Sequence, residues 1–283
     1  MKISVIVPIY NRLEHFRALF ICLLRQSRQI DELIITDDGS SQQILDYIAD
    51  LIPKASFKIK HIYQEDKGFR KTRALNNGVI NSEGEFLVFC DQDLIFGEEY
   101  IEYMEKNIKK GCFLLCRPIS VNEEEKDIIL KKIELSNKYE DLLKPLPKDY
   151  LESVNRTLRT DRKRRILNIL KLSKRGIKLV GMSYAVMKSD YLKVNGYDEN
   201  YNGWGEEDDD FGNRLYVAGI KGKELKTPNM QIHLWHYSDP TKKHSMNEEY
   251  YYKRKKEIFS NKDYFCKNGC SEARDDIKIT ILK

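Results

Sequence analysis

Apolar residues along the first 117 positions come in short blocks separated by polar turns. The apolar run at 3–7 is stopped by Pro8, and Leu13, Phe16, Leu19, Phe20 and Leu23 then recur at helical spacing. Residues 32–36 form a second strand-like run ending in Asp37-Asp38-Gly39-Ser40, and 44–51 is a short helix candidate. A half-buried strand pattern follows at 57–63, a helix at 72–80, and a buried strand at 86–90 that runs into Asp91-Gln92-Asp93. An amphipathic helix at 98–109 and a strand at 112–117 complete the series. Alternation of this kind predicts an α/β fold with a mostly parallel central sheet flanked by helices. Ligands of such sheets bind beyond the carboxyl ends of the strands. Asn11-Arg12, 37–40 and 91–93 all fall at such ends.

Downstream the pattern changes. Residues 121–178 are highly charged without a clear strand, and predict a helical insertion. Strand character resumes at 176–188, a dense acidic turn at 203–210 leads into a helix through Ala218, and a last strand-like stretch spans 230–235. The tail from 247 reads as a helix packed on the domain. The chain thus divides into 1–117, a basic helical insertion at 118–178, a second half at 179–245 and a helical tail at 246–283.

Composition narrows the function classes. With 41% hydrophobic residues the chain is too apolar for global disorder. The apolar runs at 3–7, 86–90 and 113–116 fall far short of the ~20 residues of a membrane span. MKISVIVP has no signal-peptide h-region or cleavage site. Cys112/Cys116 and Cys266/Cys270 lack zinc-knuckle spacing, and four of the six cysteines sit in apolar runs. A reducing, cytoplasmic location is therefore expected.

The net charge of +5 is mild but unevenly spread. Between 151 and 178, ten basic residues face only Glu152 and Asp161, an excess of eight, with Ile166, Leu167, Ile169, Leu170 and Leu172 interleaved. A basic amphipathic helix suits an anionic membrane surface, here through 156–178; a solvated charged helix is the plainer alternative. A protein of this kind would sit peripherally on the inner face of the plasma membrane. The segment lacks aromatic interleaving, so no nucleic-acid partner is expected.

Three clusters carry candidate chemistry. Asp91 and Asp93, two apart at a strand end, can converge on a hard divalent cation such as Mg²⁺ or Mn²⁺. His233 and His236, three apart beside Trp235, offer imidazole ligands. In Gly203-Trp204-Gly205-Glu206-Glu207-Asp208-Asp209-Asp210, a helix N-terminus accounts for one or two acids but not for five in a row. Crowded carboxylates can raise one another's pKa and make better bases, and Trp204 offers a face for a sugar ring. The stretch from Asp66 to Gly78 also sets Lys and Arg at the mouth of a helix, where phosphate binds readily.

The order of Pro8-Ile9-Tyr10-Asn11-Arg12, Thr36–Ser40, GFRKTRALNNG and Asp91-Gln92-Asp93 resembles glycosyltransferase family 2. The run from Val180 to Leu215 resembles the catalytic region of β-1,4-galactosyltransferases and of chondroitin-polymerase-type enzymes. The resemblance implies a GT-A fold and a UDP-sugar donor. Asp91 and Asp93 would hold Mn²⁺ or Mg²⁺ against the diphosphate, with His236 as a further ligand and His233 as a second candidate. Asp38, or Asp37, would bind the uracil or ribose. Pro8, Tyr10 and Arg12 would line the nucleotide pocket, with Arg73 and Gln92 alongside. Asp208 would be the catalytic base, Glu207 would bind acceptor hydroxyls, and Trp204 and Gly205 would line the acceptor site. Glu206 stands where the family often has Gly. The implied reaction is inverting transfer, galactose or N-acetylgalactosamine favoured, to a glycan or lipid-linked glycan. A catalytically silent carbohydrate- or nucleotide-binding module on the same fold is the alternative.

Overall fold

In the computed structural model, which describes residues 1–135, 148–170, 172, 176–225, 231–237 and 245–283, the chain begins with β1 (Ile3–Ile9), α1 (Leu13–Leu24), β2 (Glu32–Asp37) and α2 (Leu45–Ile48). After a 3₁₀ turn at Ile52–Lys54 come β3 (Lys58–Gln64), α3 (Lys71–Ile80), β4 (Phe86–Cys90), β5 (Leu94–Ile95), α4 (Tyr100–Asn107), β6 (Cys112–Leu115) and β7 (Ile119–Ser120). Then follow α5 (Glu123–Glu134), α6 (Lys148–Ile169), β8 (Ser183–Met187), α7 (Lys188–Lys193) and α8 (Glu207–Val217). The chain closes with β9 (Lys221–Glu224), β10 (Ile232–His233), α9 (Glu248–Asn261) and β11 (Ile277–Ile281).

Eight strands form one sheet in the order β11-β3-β2-β1-β4-β8-β6-β9. Because side chains alternate across a strand, β1 feeds two cores. Ile3, Val5, Val7 and Ile9 pack with Phe16, Leu19, Phe20 and Leu23 of α1, whereas Ile6 packs with Leu75 and Val79 of α3. Both faces are covered, which is why these strands are continuous apolar runs. The β3-β2-β1-β4 segment is parallel. β8 runs antiparallel to both β4 and β6. The strand order reverses between β1 and β4, where an open α/β sheet leaves a crevice. Pairing of β1 with β4 ends at Ile6, so Pro8 lies past that ladder, where the two strands part.

The sequence expectations shift at three places. The 176–188 strand shortens to β8, with 176–182 irregular. The tail is helical only in α9. IKITI alternates with period two and adds as an antiparallel strand to the free edge of β3. The expected insertion opens instead with β7 and with α5, whose Ile129 and Ile133 join the core against α1. Asn122 caps α5, accepting from Glu125 N at 2.9 Å, while Glu125 reaches back to Asn122 N. Positions 136–147, 171 and 173–175 of the insertion, and Met230 of the last strand, lie outside the described residues. No described helix is long and apolar enough to cross a membrane.

Candidate functional site

The carboxyl ends of β2, β1 and β4 are neighbours in the sheet, so the three polar clusters meet at one edge. Gln92 ties two of them together. Its Oε1 accepts from Tyr10 N at 2.7 Å and its Nε2 donates to Asn11 O at 2.8 Å. Both ends of its buried amide thereby hold the end of β1 against the 91–93 loop. Asn11 and Arg12 both take positive φ. Asn11 Oδ1 accepts from Ser41 N at 2.9 Å, which locks this bend to the loop after β2.

Asp37 and Asp38 have separate partners. Asp37 accepts from Ser40 N at 2.7 Å and sits 3.0 Å from His61 Nε2. Asp38 accepts from Gln64 Nε2 at 2.6 Å and from Arg70 N, at the start of α3, at 2.7 Å. Burial pushes its carboxyl up to about 6 despite these donors. Tyr10 is half exposed, its hydroxyl on Asp66 at 3.0 Å.

Asp93, His233 and His236 offer ligand atoms that all lie within 4.8 Å of one another. The two-residue strands β5 and β10 bring them together. His233 pairs with Leu94 in register, and Leu234 N donates to Asp93 O at 2.9 Å. His236 Nδ1 lies 3.0 Å from the Tyr237 carbonyl, which accepts a hydrogen bond from Nδ1–H and leaves the Nε2 lone pair 3.3 Å from Asp93 Oδ2. Burial lowers the His236 pKa, so the ring is neutral at physiological pH. A lone pair facing a carboxylate calls for a cation between them. Asp93 Oδ1 is buried with no hydrogen-bond partner, and His233 Nε2 stands 3.6 Å away. The Arg12 guanidinium lies 3.7 Å from Asp93. The donor set therefore fits a divalent metal.

Asp91, expected in that set, is engaged elsewhere. Its Oδ1 lies 2.5 Å from Lys71 Nζ, the first residue of α3. Burial, partly offset by Lys71 and reinforced by Asp93, pushes Asp91 up to about 6. Lys71 is the residue that motif reading left unassigned. Burial disfavours its charge, but the fields of Asp91, Asp208 and Glu207 outweigh that and hold it protonated. One ammonium thus links the β4 loop to the acidic motif. The signal in the sequence was a basic residue at a helix mouth. Arg73, expected at the nucleotide, binds Glu199 at 3.0 Å and also pairs with Asp276. Two residues along α3 turn its side chain about 200° from Lys71, toward the C-terminal segment.

The five acids at 206–210 have distinct fates. Asp210 forms a buried pair with Arg214 at 2.6 Å, whose Nη1 also donates to the Val194 and Gly196 carbonyls. Asp209 lies 3.5 Å from Lys255 and accepts from the Tyr251 hydroxyl, on α9. Asp208 accepts from Gly181 N and from the Tyr197 hydroxyl, both at 2.9 Å. A Cβ at Gly181 would stand 2.1 Å from the Asp208 carboxylate, so a larger residue there would displace that carboxylate. Tyr197 is a second residue the motif did not reveal. Glu207 is buried, with Oε2 unpaired. Burial first, then the charge of Asp208, raises its pKa to about 7.

Because the pKa of Glu207 is raised above its unfolded value near 4.5, its contribution to stability is present below that value and is lost as pH rises toward 7. Glu207→Gln should therefore melt several degrees above wild type at pH 8, with a smaller difference at pH 5, in paired thermal scans. An equal difference at both pH values would contradict the raised pKa.

Trp204 is half exposed between Gly203 (φ 78°) and Gly205 (φ 109°). Gly203 N donates to Phe69 O at 3.1 Å and Asn247 donates to Gly205 O at 3.0 Å, pinning this loop between α3 and α9. Glu206 takes φ 72°, so the loop keeps a left-handed residue without a glycine. Left-handed geometry costs a non-glycine residue about 1 kcal/mol. Glu206→Gly should accordingly raise the melting temperature by a few degrees, checked by calorimetry; a drop would show that the Glu206 side chain outweighs the strain.

An α/β sheet with its crevice between β1 and β4, a metal-fitting carboxylate–imidazole set and a buried Glu207 beside a half-buried Asp208 mark a fold of the GT-A class. The family model for glycosyl transferase family 2 matches residues 4–166, more than half of the chain, and the protein belongs to this family. Residues 164–237 match the model described as the N-terminal domain of galactosyltransferase. The chain is 22% identical over 236 residues to validoxylamine A glucosyltransferase of Streptomyces hygroscopicus subsp. jinggangensis, covering 77% of this chain and 52% of that protein. It is 23% identical over 229 residues to chondroitin synthase of Pasteurella multocida, covering 77% and 23%. The chain spans about half or less of the length of these relatives. S. aureus TarS 1-349 in complex with UDP-GlcNAc shares the fold at a TM-score of 0.57 and 16% identity, over 90% of this chain and 64% of that one. The mannosyltransferase PcManGT of Pyrobaculum calidifontis, in complex with GDP-Man and Mn2+, shares it at 0.52 and 12%, over 82% and 56%.

Proposed function

We propose that the protein is an inverting, metal-dependent glycosyltransferase that moves galactose or N-acetylgalactosamine from a UDP-sugar to a hydroxyl of a glycan or lipid-linked glycan. The observation that carries this reading is the single charge cluster in which Asp91 feels Lys71, Asp93 and Asp208, while Lys71 feels Asp208 and Glu207. In this reading donor and acceptor machinery would share one crevice. The galactosyltransferase model over 164–237 and the likeness to chondroitin synthases support the choice of sugar.

Asp93, His233 and His236 would hold the metal, and two imidazoles beside one carboxylate favour Mn²⁺ over Mg²⁺. When bound, the metal neutralises charge developing on the departing diphosphate. Lys71 adds a second positive charge on the same side. Asp38 and the end of β1 from Pro8 to Arg12 would receive the nucleoside. Glu207 would accept a hydrogen bond from the acceptor sugar, which stacks on Trp204 beside Gly205. Asp208 Oδ takes the proton of the attacking hydroxyl as its oxygen bonds to the anomeric carbon. The bond from that carbon to the diphosphate oxygen breaks on the opposite face, and UDP leaves with the electron pair. Anchoring by Gly181 N and Tyr197 leaves the carboxylate oriented for this task.

A panel of UDP-sugars screened for UDP release with Mn²⁺ or with EDTA tests the reading. Release from UDP-galactose or UDP-N-acetylgalactosamine with Mn²⁺ only is expected. Donor binding without release would favour the silent module, and preference for UDP-glucose or UDP-N-acetylglucosamine would overturn the choice of sugar.

A further inference from the structure

Along one face of α6, Arg156, Arg159, Lys163 and Ile166 follow at intervals of three, four and three residues, with Leu170 four further on, so they stand in one line. Arg162 and Ile169 flank it. All of these side chains are exposed, Ile169 at 80% and Leu170 at 59%. Leu170 N donates to Ile166 O at 3.0 Å, so the helical path continues through it. The first part of the face is cationic and its end is apolar, within about 20 Å of helix. The line therefore presents large apolar side chains to water at the end of a basic track.

We propose that this face docks the protein on a bilayer bearing anionic headgroups. Arg156, Arg159, Arg162 and Lys163 would lie over lipid phosphates, and Ile166, Ile169 and Leu170 would enter the interface. Charge complementarity selects this occupant: from 151 to 178 the chain carries an excess of eight positive charges, whereas the remainder carries a net −3. A docked α6 would hold the enzyme at the surface where a lipid-linked acceptor resides. The surface and the assignment of the reaction stand on different residues, so either can fail alone.

Flotation of the full chain with vesicles tests the proposal. At low salt the protein should float with vesicles containing phosphatidylglycerol and stay in solution with pure phosphatidylcholine. Reversal of the four basic residues (Arg156→Glu, Arg159→Glu, Arg162→Glu, Lys163→Glu) should lower partitioning more than a hundredfold, because each basic group near an anionic surface is worth about fivefold. Exchange of the three arginines for lysine should leave it near wild type. Ile166→Ser/Ile169→Ser/Leu170→Ser should weaken it while the melting temperature is kept. Failure of the wild type to float with anionic vesicles, equal flotation with neutral ones, or unchanged flotation of either disruptive variant would overturn the proposal.

Discussion

Asp208→Asn should lower kcat by about 10²–10⁴, the usual worth of a general base, with UDP affinity unchanged. The isosteric amide can still accept from Gly181 N and bond to the Tyr197 hydroxyl, so the local structure should persist. Only the proton acceptor is lost. Asp209→Asn is the matched control. That carboxylate faces Tyr251 and Lys255 on α9, so its loss should touch stability and leave kcat near wild type. Initial rates of UDP release at saturating donor, with UDP binding by calorimetry, separate the two variants. An Asp208→Asn enzyme that keeps more than about a tenth of wild-type kcat would remove the base from this position.

The second large effect concerns the metal. Asp93→Asn should lower kcat/KM by about 10³, a loss of several kcal/mol of charge stabilisation at the leaving group, and excess Mn²⁺ should not restore it. His236→Ala should act in the same direction. Asp91→Asn gives a different result: Mn²⁺ affinity by calorimetry should stay near wild type, because Asp91 is paired with Lys71 and lies outside the Asp93–His233–His236 group. If Asp91→Asn abolished Mn²⁺ binding and Asp93→Asn did not, the two carboxylates would have to exchange roles.

Much of the fold was legible before the structure. Apolar runs at β1, β2 and β4 implied strands, and Asn11-Arg12, 37–40 and 91–93 do meet at one edge of the sheet. What was not legible depended on distance in space. β5, β7 and β10 have two residues each, too few for any periodicity, yet they bring His233 and His236 to Asp93. The acidic run looked uniform, but its partners are scattered: Gly181 and Tyr197 for Asp208, α9 for Asp209, Arg214 for Asp210. Lys71 and Arg73 looked equivalent in sequence, and only the turn of α3 sends one to the crevice and the other to Glu199 and Asp276. The closing strand β11 alternated visibly, but a strand at a sheet edge needs a partner, here β3, that lies more than two hundred residues earlier.

The most direct test of the central claim is the configuration of the sugar at the moment of release. With Mn²⁺ and a UDP-α-sugar but no glycan acceptor, water takes the acceptor's place, and proton NMR can record the first free sugar before it mutarotates. A single base at Asp208, opposite the departing UDP, predicts the β anomer. Release of the α anomer would contradict the account.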